Sequence, residues 1–406
     1  MFKSNKLVCG LDLGSRRIKV VAGISLRSGG FSSPEYADAP SRGLRGGVVE
    51  DFPAAVGAVK EAVGSLEKKL DRRIKNVYLG VNGQGLSFRR ASAVIPLCER
   101  GNKVVSPWDI KSVHSQARSL NIKLDEEIIH NFPRGYVLDD GNYLHNPQGL
   151  SGHKLAVDLY IIAMKINHLD NFSRLADQAG LKIGDIVFSG VAAARCVLRQ
   201  EEMAKGCVFV DIGAEVTQFL VFRQGVLHFA DIIGYGGNKL TAALAGKLAV
   251  PFDLAEEIKE GYACAAGQDS RFDDEVIVKR HNGYLPVSRK EIVFSVQPGI
   301  KELLSCLQER IFCSGSQDCP LVITGGTGLL DGFLEMAEKV LGLSVRLGAP
   351  RDLLSLANRA AGYSAAVGLM HYAVEHSDVV GRRMTQAKDG LRGAWEWLKG
   401  VYGDYF

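Results

Sequence analysis

The stretch Val8-Cys9-Gly10-Leu11-Asp12-Leu13-Gly14 is an apolar run that stops at Asp-X-Gly, and a second β-rich stretch, Ile18-Lys19-Val20-Val21-Ala22, follows it. Val208-Phe209-Val210-Asp211-Ile212-Gly213 repeats the pattern and leads into Val216-Thr217-Gln218-Phe219-Leu220-Val221. Each copy reads as a β-hairpin: a buried strand, a tight turn at Asp-X-Gly and a return strand. Asp12 and Asp211 stand 199 positions apart in a chain of 406 residues, about half its length. Duplication at that spacing predicts an α/β protein whose two like lobes face each other across a cleft.

A tight glycine turn directs backbone N–H groups outward and so makes a nest for an anion. Two such turns on opposite lobes can grip a triphosphate from both sides. Asp12 and Asp211, at the ends of the buried strands, are candidate Mg²⁺ residues acting through water, because Mg²⁺ keeps several waters and uses few carboxylates. Lys19, on the same side of its strand as Arg17, can reach a β-phosphate as a point charge. Gly325-Gly326-Thr327 lies between a predicted strand, Leu321–Thr324, and a predicted helix, Leu329–Leu341. It offers a flat surface and a helix N-terminus to a nucleotide. Glu256 and Lys259 are three apart on one helix face and can bracket a ribose and base. Singly these are ordinary features: a turn, a Gly-Gly after a strand, a surface ion pair. In this order and at half-chain spacing they predict a nucleotide cleft.

Composition sets the outer limits. Apolar residues make up 46% and charged residues 23%, which are globular values and exclude a largely disordered or collagen-like chain. A net charge of +4, from 49 basic and 45 acidic residues, is not the footprint of a nucleic-acid binder. The eight cysteines form no CxxC pair and no zinc-type cluster, and several sit in apolar runs; they read as buried free thiols in a reducing compartment. The N-terminus does not read as a signal peptide. The longest weakly polar run, Ala361–Val374, is too short for the ~20 residues of a spanning helix. A soluble, cytoplasmic protein is expected.

The remaining pattern gives helices over Pro53–Leu70, Asn167–Ala179, Ala192–Met203 and Ala255–Ala263, and strands over Asn76–Val81 and Ile186–Phe188. The first lobe is expected over 1–84 and 159–203, interrupted by an inserted subdomain over 85–158. The second lobe is expected over 204–252 and 319–360, with a small subdomain over 253–318. A helix over 361–375 returns to the first lobe, a polar linker follows over 376–390, and 391–406 closes the chain.

These residues carry a resemblance. The order of the two phosphate hairpins and the Thr324-Gly325-Gly326 loop is similar to the superfamily of actin, sugar kinases and heat-shock-chaperone ATPases. Over essentially its full length the chain resembles the FtsA family of bacterial cell-division proteins. The most specific stretches are Ile128-Ile129-His130-Asn131-Phe132-Pro133-Arg134-Gly135-Tyr136-Val137-Leu138-Asp139 and Asn146-Pro147-Gln148-Gly149-Leu150-Ser151-Gly152-His153-Lys154-Leu155. Ser41–Val48, Gly234–Thr241 and Ala255–Gly261 add to them. The resemblance implies an actin-like duplicated fold whose insertion sits in a different place from actin's. It implies ATP binding, head-to-tail self-assembly on the membrane and tethering of the tubulin-like protein FtsZ. It also implies an address: peripheral on the inner face of the cell membrane, at the division site, among other division proteins. By resemblance Asp12, Gly14, Ser15 and Lys19 form the first phosphate motif, and Asp211, Gly213, Ala214 and Thr217 the second. Gly236, Gly237 and Asn238 lie near the terminal phosphate. Glu256, Lys259, Gly325, Gly326 and Thr327 face the nucleoside.

Two departures from the family pattern matter. The second phosphate loop usually reads Asp-Ile-Gly-Gly-Gly-Thr-Thr, whereas here Ala214-Glu215-Val216 follow Gly213. A carboxylate about 4 Å from a terminal phosphate would cost on the order of 4 kcal/mol at an effective dielectric of 20. Either Glu215 points away, or it serves Mg²⁺ or water, or ATP binding is weak; the first is the preferred expectation, and hydrolysis is expected to be weak or absent. Where the family commonly shows Glu-Pro-Arg, this chain has Gln297-Pro298-Gly299. The missing Arg is expected to contact the acidic C-terminal tail of FtsZ; Arg289, Lys290 and Lys301 stand nearby as substitutes.

Residues 391–406 read as an amphipathic helix. At about 100° per residue, Leu391, Ala394, Trp395, Trp397, Leu398, Val401, Tyr402, Tyr405 and Phe406 fill one half of the wheel, and Arg392, Glu396, Lys399 and Asp404 the other. Trp and Tyr favour the headgroup level of a membrane, so an in-plane anchor on anionic lipids is predicted. Its partial burial is opposed by the ordering of the tail, which makes one copy a marginal binder. A filament of many copies gains by effective concentration. Two other classes share the cleft: a small-molecule kinase of the superfamily, which would need a general base and an acceptor pocket, and an actin-like assembly protein of a pilus or secretion system.

Overall fold

The structure is a computed structural model and describes residues 6–26, 30–99, 101–265, 274–280, 283–352 and 354–383. The apolar run before Asp12 forms β1 (Leu7–Leu13), buried from Val8 onward, and turns into β2 (Arg17–Ser25). β3 (Phe31–Pro40) returns along β2, and a short hairpin, β4 (Leu44–Arg45) and β5 (Val48–Val49), leads to α1 (Phe52–Leu70). α1 begins where the sequence supplies a cap: Asp51 Oδ1 accepts from the Ala54 N–H at 3.0 Å, and Pro53 occupies the first turn. β6 (Asn76–Val81) pairs parallel with β1.

The chain then leaves the lobe. β7 (Leu86–Pro96), β8 (Lys103–Val104), α2 (Pro107–Leu120), β9 (Glu126–Leu138), β10 (Tyr143–Leu144), β11 (Ser151–Gly152) and β12 (Lys154–Lys165) build the insertion. Its main sheet has the order β10-β9-β12-β7, and α2 covers it around Val113, Ala117, Tyr136 and Leu155. β12 runs past position 158 to Lys165, because Leu159 and Tyr160–Met164 are buried where the insertion meets the lobes. His130, from the most specific motif, sits at this junction, and its Nε2 accepts the Phe188 N–H at 2.9 Å. Burial pushes its imidazole down to about 3, so it stays neutral.

α3 (Ile166–Gln178), β13 (Lys182–Phe188), α4 (Ser189–Val197) and α5 (Gln200–Lys205) complete the first lobe. The one helix expected over Ala192–Met203 is thus two. Leu198 and Arg199 are extended, and Glu202 accepts the Arg199 N–H at 2.8 Å to start α5.

The second lobe repeats the plan. β14 (Cys207–Ile212), β15 (Thr217–Arg223) and β16 (Val226–Ile233) precede α6 (Gly237–Leu248) and α7 (Phe252–Tyr262). β17 (Glu275–Arg280), β18 (Gly283–Ser288) and α8 (Arg289–Cys313) follow, then β19 (Leu321–Thr324), α9 (Phe333–Leu341) and β20 (Val345–Leu347). The sheets have the orders β13-β6-β1-β2-β3 and β16-β15-β14-β19-β20. In both, the Asp-bearing strand has its antiparallel hairpin partner on one side and a parallel strand on the other. The registers agree as well: Asp12 lies opposite Lys19, and Asp211 opposite Gln218.

Several boundaries differ from the sequence expectation: β13 starts at Lys182 rather than Ile186, α7 at Phe252 rather than Ala255, and two others have evident physical reasons. α9 starts at Phe333 rather than Leu329. Thr327–Leu329 form a 3₁₀ turn, and Asp331 is drawn into a bridge with Cys264, its carbonyl accepting the Ala265 N–H at 2.7 Å. The last helix, α10 (Ser364–Arg383), runs eight residues into the expected linker. Between Leu369 and Val380 nothing breaks it: the run has no Pro or Gly, and His376 Nδ1 lies 2.8 Å from the Tyr372 carbonyl while its ring stacks on Tyr372. α10 packs on α4 and β1 by close backbone approach. A Cβ at Gly368 would stand 1.9 Å from the Ala192 carbonyl oxygen, and one at Gly10 would stand 2.3 Å from that of Ala366. The predicted amphipathic segment 391–406 lies outside the described residues. No helix of the described residues is long and apolar enough to cross a membrane. All eight cysteines are free thiols, but only Cys9, Cys207 and Cys264 are buried, and Cys313 is exposed.

Candidate functional site

The duplicated strands bring their two carboxylates to the floor of the cleft, and α4 starts between them. Ser189 Oγ donates to Asp12 Oδ1 at 3.2 Å. Gln218 Nε2 donates to Asp211 Oδ2 at 3.3 Å, and a Cβ on Gly190 would meet Gln218 Oε1 at 2.9 Å. Burial pushes the Asp12 carboxyl up, against the pull of Lys19 and Ser189. Burial, then the charge of Asp12, lifts Asp211 to about 7, and Lys19 again opposes. The two carboxylates therefore feel each other, and a single ammonium, Lys19, acts on both. Two buried carboxylates with one cation between them are short of positive charge.

The second phosphate turn is held tightly. The Gly213 carbonyl accepts from the Gly237 N–H at 3.0 Å and from Thr327 Oγ1 at 3.1 Å, and the Ala214 carbonyl accepts from the Asn238 N–H at 2.7 Å. Only glycines allow this approach: a Cβ on Gly236 would lie 2.6 Å from the Ala214 carbonyl. Gly325 has φ +91°, and a Cβ there would strike Asp211 Oδ1 at 2.5 Å, so the turn after β19 passes directly over that carboxylate. Gly326 is unobstructed.

At the nucleoside end Glu256 and Lys259 are an internal pair rather than a surface one. Lys259 Nζ is 2.7 Å from Glu256 Oε2 and 2.9 Å from Thr241 Oγ1, and Thr241 also donates to Glu256. Burial pushes the Glu256 carboxyl up, but Lys259, Thr241 and Arg16 together hold it below the usual range. Arg16, in the first hairpin's turn, crosses the cleft to Glu256 at 3.2 Å and Asp253 at 3.6 Å.

Asp12, Gly14, Ser15 and Lys19 thus stand on one side of the cleft, with Asp211, Gly213, Ala214, Gly236, Gly237, Asn238, Glu256, Lys259, Gly325, Gly326 and Thr327 on the other. Three expectations are corrected. Thr217 is fully buried and gives its hydroxyl to the Tyr235 carbonyl at 2.7 Å, so it braces the turn from within the lobe. No long helix starts at Gly326; the turn there is 3₁₀, and the helix N-terminus bonded to the Gly213–Ala214 turn is that of α6. Glu215 does not point away: its Oε2 accepts the Gly46 N–H of the opposite lobe, and Oε1 lies 3.6 Å from Arg45 Nε and 3.5 Å from Asn238 Nδ2.

Ser189, Gln218, Thr241 and Arg16 were not among the residues expected here. Gln218 had a signal: it follows Asp211 by the same seven positions as Lys19 follows Asp12. Two buried atoms in the site have no hydrogen-bond partner, Gln218 Oε1 and Asn238 Oδ1. Such oxygens suit water or the coordination sphere of a cation. Among the described residues no group of three or more His, Cys, Asp or Glu could hold a metal; the site offers two carboxylates, the composition that a hydrated Mg²⁺ takes. The residues fit a Mg²⁺-nucleotide.

Arg289, Lys290 and Lys301 lie apart from this cleft, on α8. α8 continues through Pro298, and Gly299 faces inward: the Tyr235 hydroxyl donates to its carbonyl at 2.8 Å, and a Cβ there would meet Leu240 at 2.6 Å. A larger residue at 299 would require Leu240 and Tyr235 to shift.

Comparison with known proteins agrees with this architecture. The family model described as "Cell division protein FtsA" matches residues 208–368, and the "SHS2 domain inserted in FTSA" matches residues 83–163. The cell division protein FtsA of Escherichia coli strain K12 is 30% identical over 384 residues, 91% of each chain. That of Pseudomonas aeruginosa is 28% identical over 380 residues, 92% of this chain and 90% of its own. Among solved structures, a PilM-PilN type IV pilus biogenesis complex superposes with a TM-score of 0.65 at 18% identity, over 90% of this chain and 98% of that one. MreB5 of Spiroplasma citri bound to ADP gives 0.54 at 12% identity, over 94% and 99%. These structural likenesses establish an actin-like α/β fold. The near-complete alignment at 30% identity, with the matching insertion, establishes more: the chain belongs to the FtsA family of cell-division proteins.

Proposed function

We propose that this chain binds ATP with Mg²⁺ between its lobes, assembles head to tail on the inner face of the cytoplasmic membrane, and tethers the C-terminal tail of FtsZ and other division proteins there. The observation that carries the reading is the pair of buried carboxylates, Asp12 and Asp211, from equivalent strands of the two lobes and sharing Lys19. Mg²⁺, when bound, supplies the positive charge that offsets the phosphates. Asp12 and Asp211 would hold it through water, with Gln218 orienting Asp211 and Ser189 orienting Asp12. The glycine turns at 14, 213, 236 and 325 let phosphate approach the backbone. Hydrolysis is weak or absent, since Glu215 spans the cleft beside the phosphate turn.

The partner face is α8. A groove of about 710 Å³ lies between α6 and α8, lined by Lys247, Lys290, Phe294 and Pro298 among others. Phe294 is half exposed beside Lys290, while Lys247 is paired with Glu291 of the same groove at 3.7 Å, so an acidic peptide with an apolar residue would meet an apolar anchor and Lys290 and would compete with Glu291 for Lys247. Lys301 lies three turns further along α8, about 16 Å away. The anchor is segment 391–406.

Sedimentation with anionic liposomes, with and without Mg²⁺-ATP, tests the assembly. The full chain should pellet and a truncation ending at Met384 should not; pelleting of the truncation would refute the anchor. Titration with an FtsZ tail peptide should show binding that weakens on Lys290→Glu. Equal binding would refute the groove. Absence of nucleotide binding in calorimetry would refute the cleft.

A further inference from the structure

The geometry points to Glu215 as a resident stand-in for a terminal phosphate, which sets the cleft to prefer a nucleoside diphosphate over a triphosphate. This rests on the nucleotide-cleft reading above and deepens it: ATP still enters the cleft, but only by displacing Glu215, so the diphosphate is the tighter ligand.

Three donors converge on this one carboxylate. Oε2 accepts the Gly46 backbone N–H, and Oε1 lies within 3.6 Å of the Arg45 guanidinium and 3.5 Å of the Asn238 carboxamide. A backbone amide, a guanidinium and a carboxamide are the donor types that bind a phosphate group. They come from both sides of the cleft: Arg45 and Gly46 from the β4–β5 turn of the first lobe, Asn238 from the start of α6 in the second.

Both ends of the contact are fixed before any ligand arrives. The β4–β5 turn is pressed against segment 82–84. Gly46 and Gly47 have φ +53° and +77°, the Gln84 N–H donates to the Gly46 carbonyl at 2.9 Å, and a Cβ on Gly47 would lie 2.0 Å from the Asn82 carbonyl. The turn carrying Glu215 is tied by Gly213 N–H to the Val216 carbonyl at 3.0 Å and by the Asn238 N–H to the Ala214 carbonyl at 2.7 Å. The side chain is about four-fifths shielded from water, so its charge is weakly screened.

A diphosphate held by Lys19, with its Mg²⁺ taken by the two carboxylates, would leave this bridge intact. A third phosphate entering between the hairpins meets a carboxylate that already holds its donors, and must break the Gly46 bond and displace a like charge. Glu215 thereby closes the lobes on each other without a triphosphate.

The test is calorimetric titration of the full-length chain with Mg²⁺-ADP and Mg²⁺-ATP, for wild type, Glu215→Gln and Glu215→Gly. Wild type should bind ADP about tenfold or more tighter than ATP. Glu215→Gly should raise the ATP-to-ADP affinity ratio at least about tenfold, and Glu215→Gln, which keeps an acceptor without the charge, should fall between. Hydrogen exchange of the nucleotide-free protein supplies an independent readout: the Gly46 amide should be protected in wild type and exposed in Glu215→Gly. An unchanged affinity ratio with ADP still bound, or equal Gly46 exchange in both proteins, would overturn the inference while leaving the nucleotide cleft standing. Failure of every form to bind either nucleotide would overturn the cleft itself, and the inference with it.

Discussion

Replacing Asp211 by asparagine separates what the carboxylate does to the fold from what it does for a ligand. The substitution keeps the shape and an oxygen for Gln218 Nε2, and removes the charge. In the native chain, burial and then Asp12 lift this carboxyl from 3.8 to about 7. That rise corresponds to about 4 kcal/mol in favour of the protonated form. Between about pH 4 and pH 7 the folded chain holds a proton that the unfolded chain has lost. Stability from this group is therefore complete below about pH 4, falls as pH rises through the window, and is flat above about pH 7. Asp211→Asn lacks the penalty. In urea titrations without nucleotide it should match wild type near pH 4, gain steadily, and exceed it by up to about 4 kcal/mol at pH 8. With Mg²⁺ and nucleotide added at pH 8 the order should reverse, because only wild type gains from binding. A gap independent of pH, or a variant weaker than wild type at pH 8 without ligand, would show that the two carboxylates do not share one desolvated floor.

Other perturbations probe the frame around that floor. Lys259→Met leaves the buried Glu256 carboxylate with only Thr241 and Arg16; a loss of about 3 kcal/mol in urea unfolding is expected, and a loss under about 1 kcal/mol would mean that Arg16 suffices. Tyr160→Phe removes the hydroxyl that donates to the Ala230 carbonyl at 3.0 Å and accepts its N–H at 2.8 Å, joining the insertion to the second lobe. Two buried backbone groups are stranded, so unfolding should cost about 1–3 kcal/mol less. Gly368→Ala puts a methyl 1.9 Å from the Ala192 carbonyl. It should lower stability by about 3 kcal/mol or more, and a neutral result would show that α10 does not sit closely on α4.

What the sequence revealed divides along a physical line. Asp12, Asp211, Gly236, Gly237 and Gly325 were legible because a strand that ends on a carboxylate and a turn that needs glycine are local demands, written within a few residues. Ser189 was not, because its partner Asp12 is 177 positions away, and nothing near Ser189 marks it. Arg16 was hidden for the same reason, since its role is set by Glu256 across the cleft. Glu215 was noticed and aimed the wrong way. Repulsion from a phosphate predicted that it turns out, whereas attraction to the Gly46 N–H and Arg45 draws it across. The extent of α10 was missed because the polar residues from 376 onward read as a linker, whereas polar residues without a proline do not stop a helix that is already packed.

Tertiary contacts of the same kind tie both lobes to the start of α10. Ala361 and Gly362, just ahead of α10, are bonded to both lobes at once. The Ala361 carbonyl accepts from the Gly325 N–H at 3.2 Å and from Thr324 Oγ1 at 3.1 Å, both in the second lobe. The Gly362 carbonyl accepts from Lys19 of the first. Thr324 Oγ1 also lies 2.7 Å from Ser364 Oγ, the first residue of α10. Lys19 and Gly325 belong to the proposed nucleotide site, and both bear on the start of α10. A rotation of one lobe against the other must either break these bonds or carry the start of α10 with it. Because α10 is wedged on α4 by Gly368 and on β1 by Gly10, and α4 itself begins at Ser189 beside Asp12, the helix cannot move independently of the floor. The arrangement of the two lobes and the position of α10 are therefore one mechanical variable in this fold.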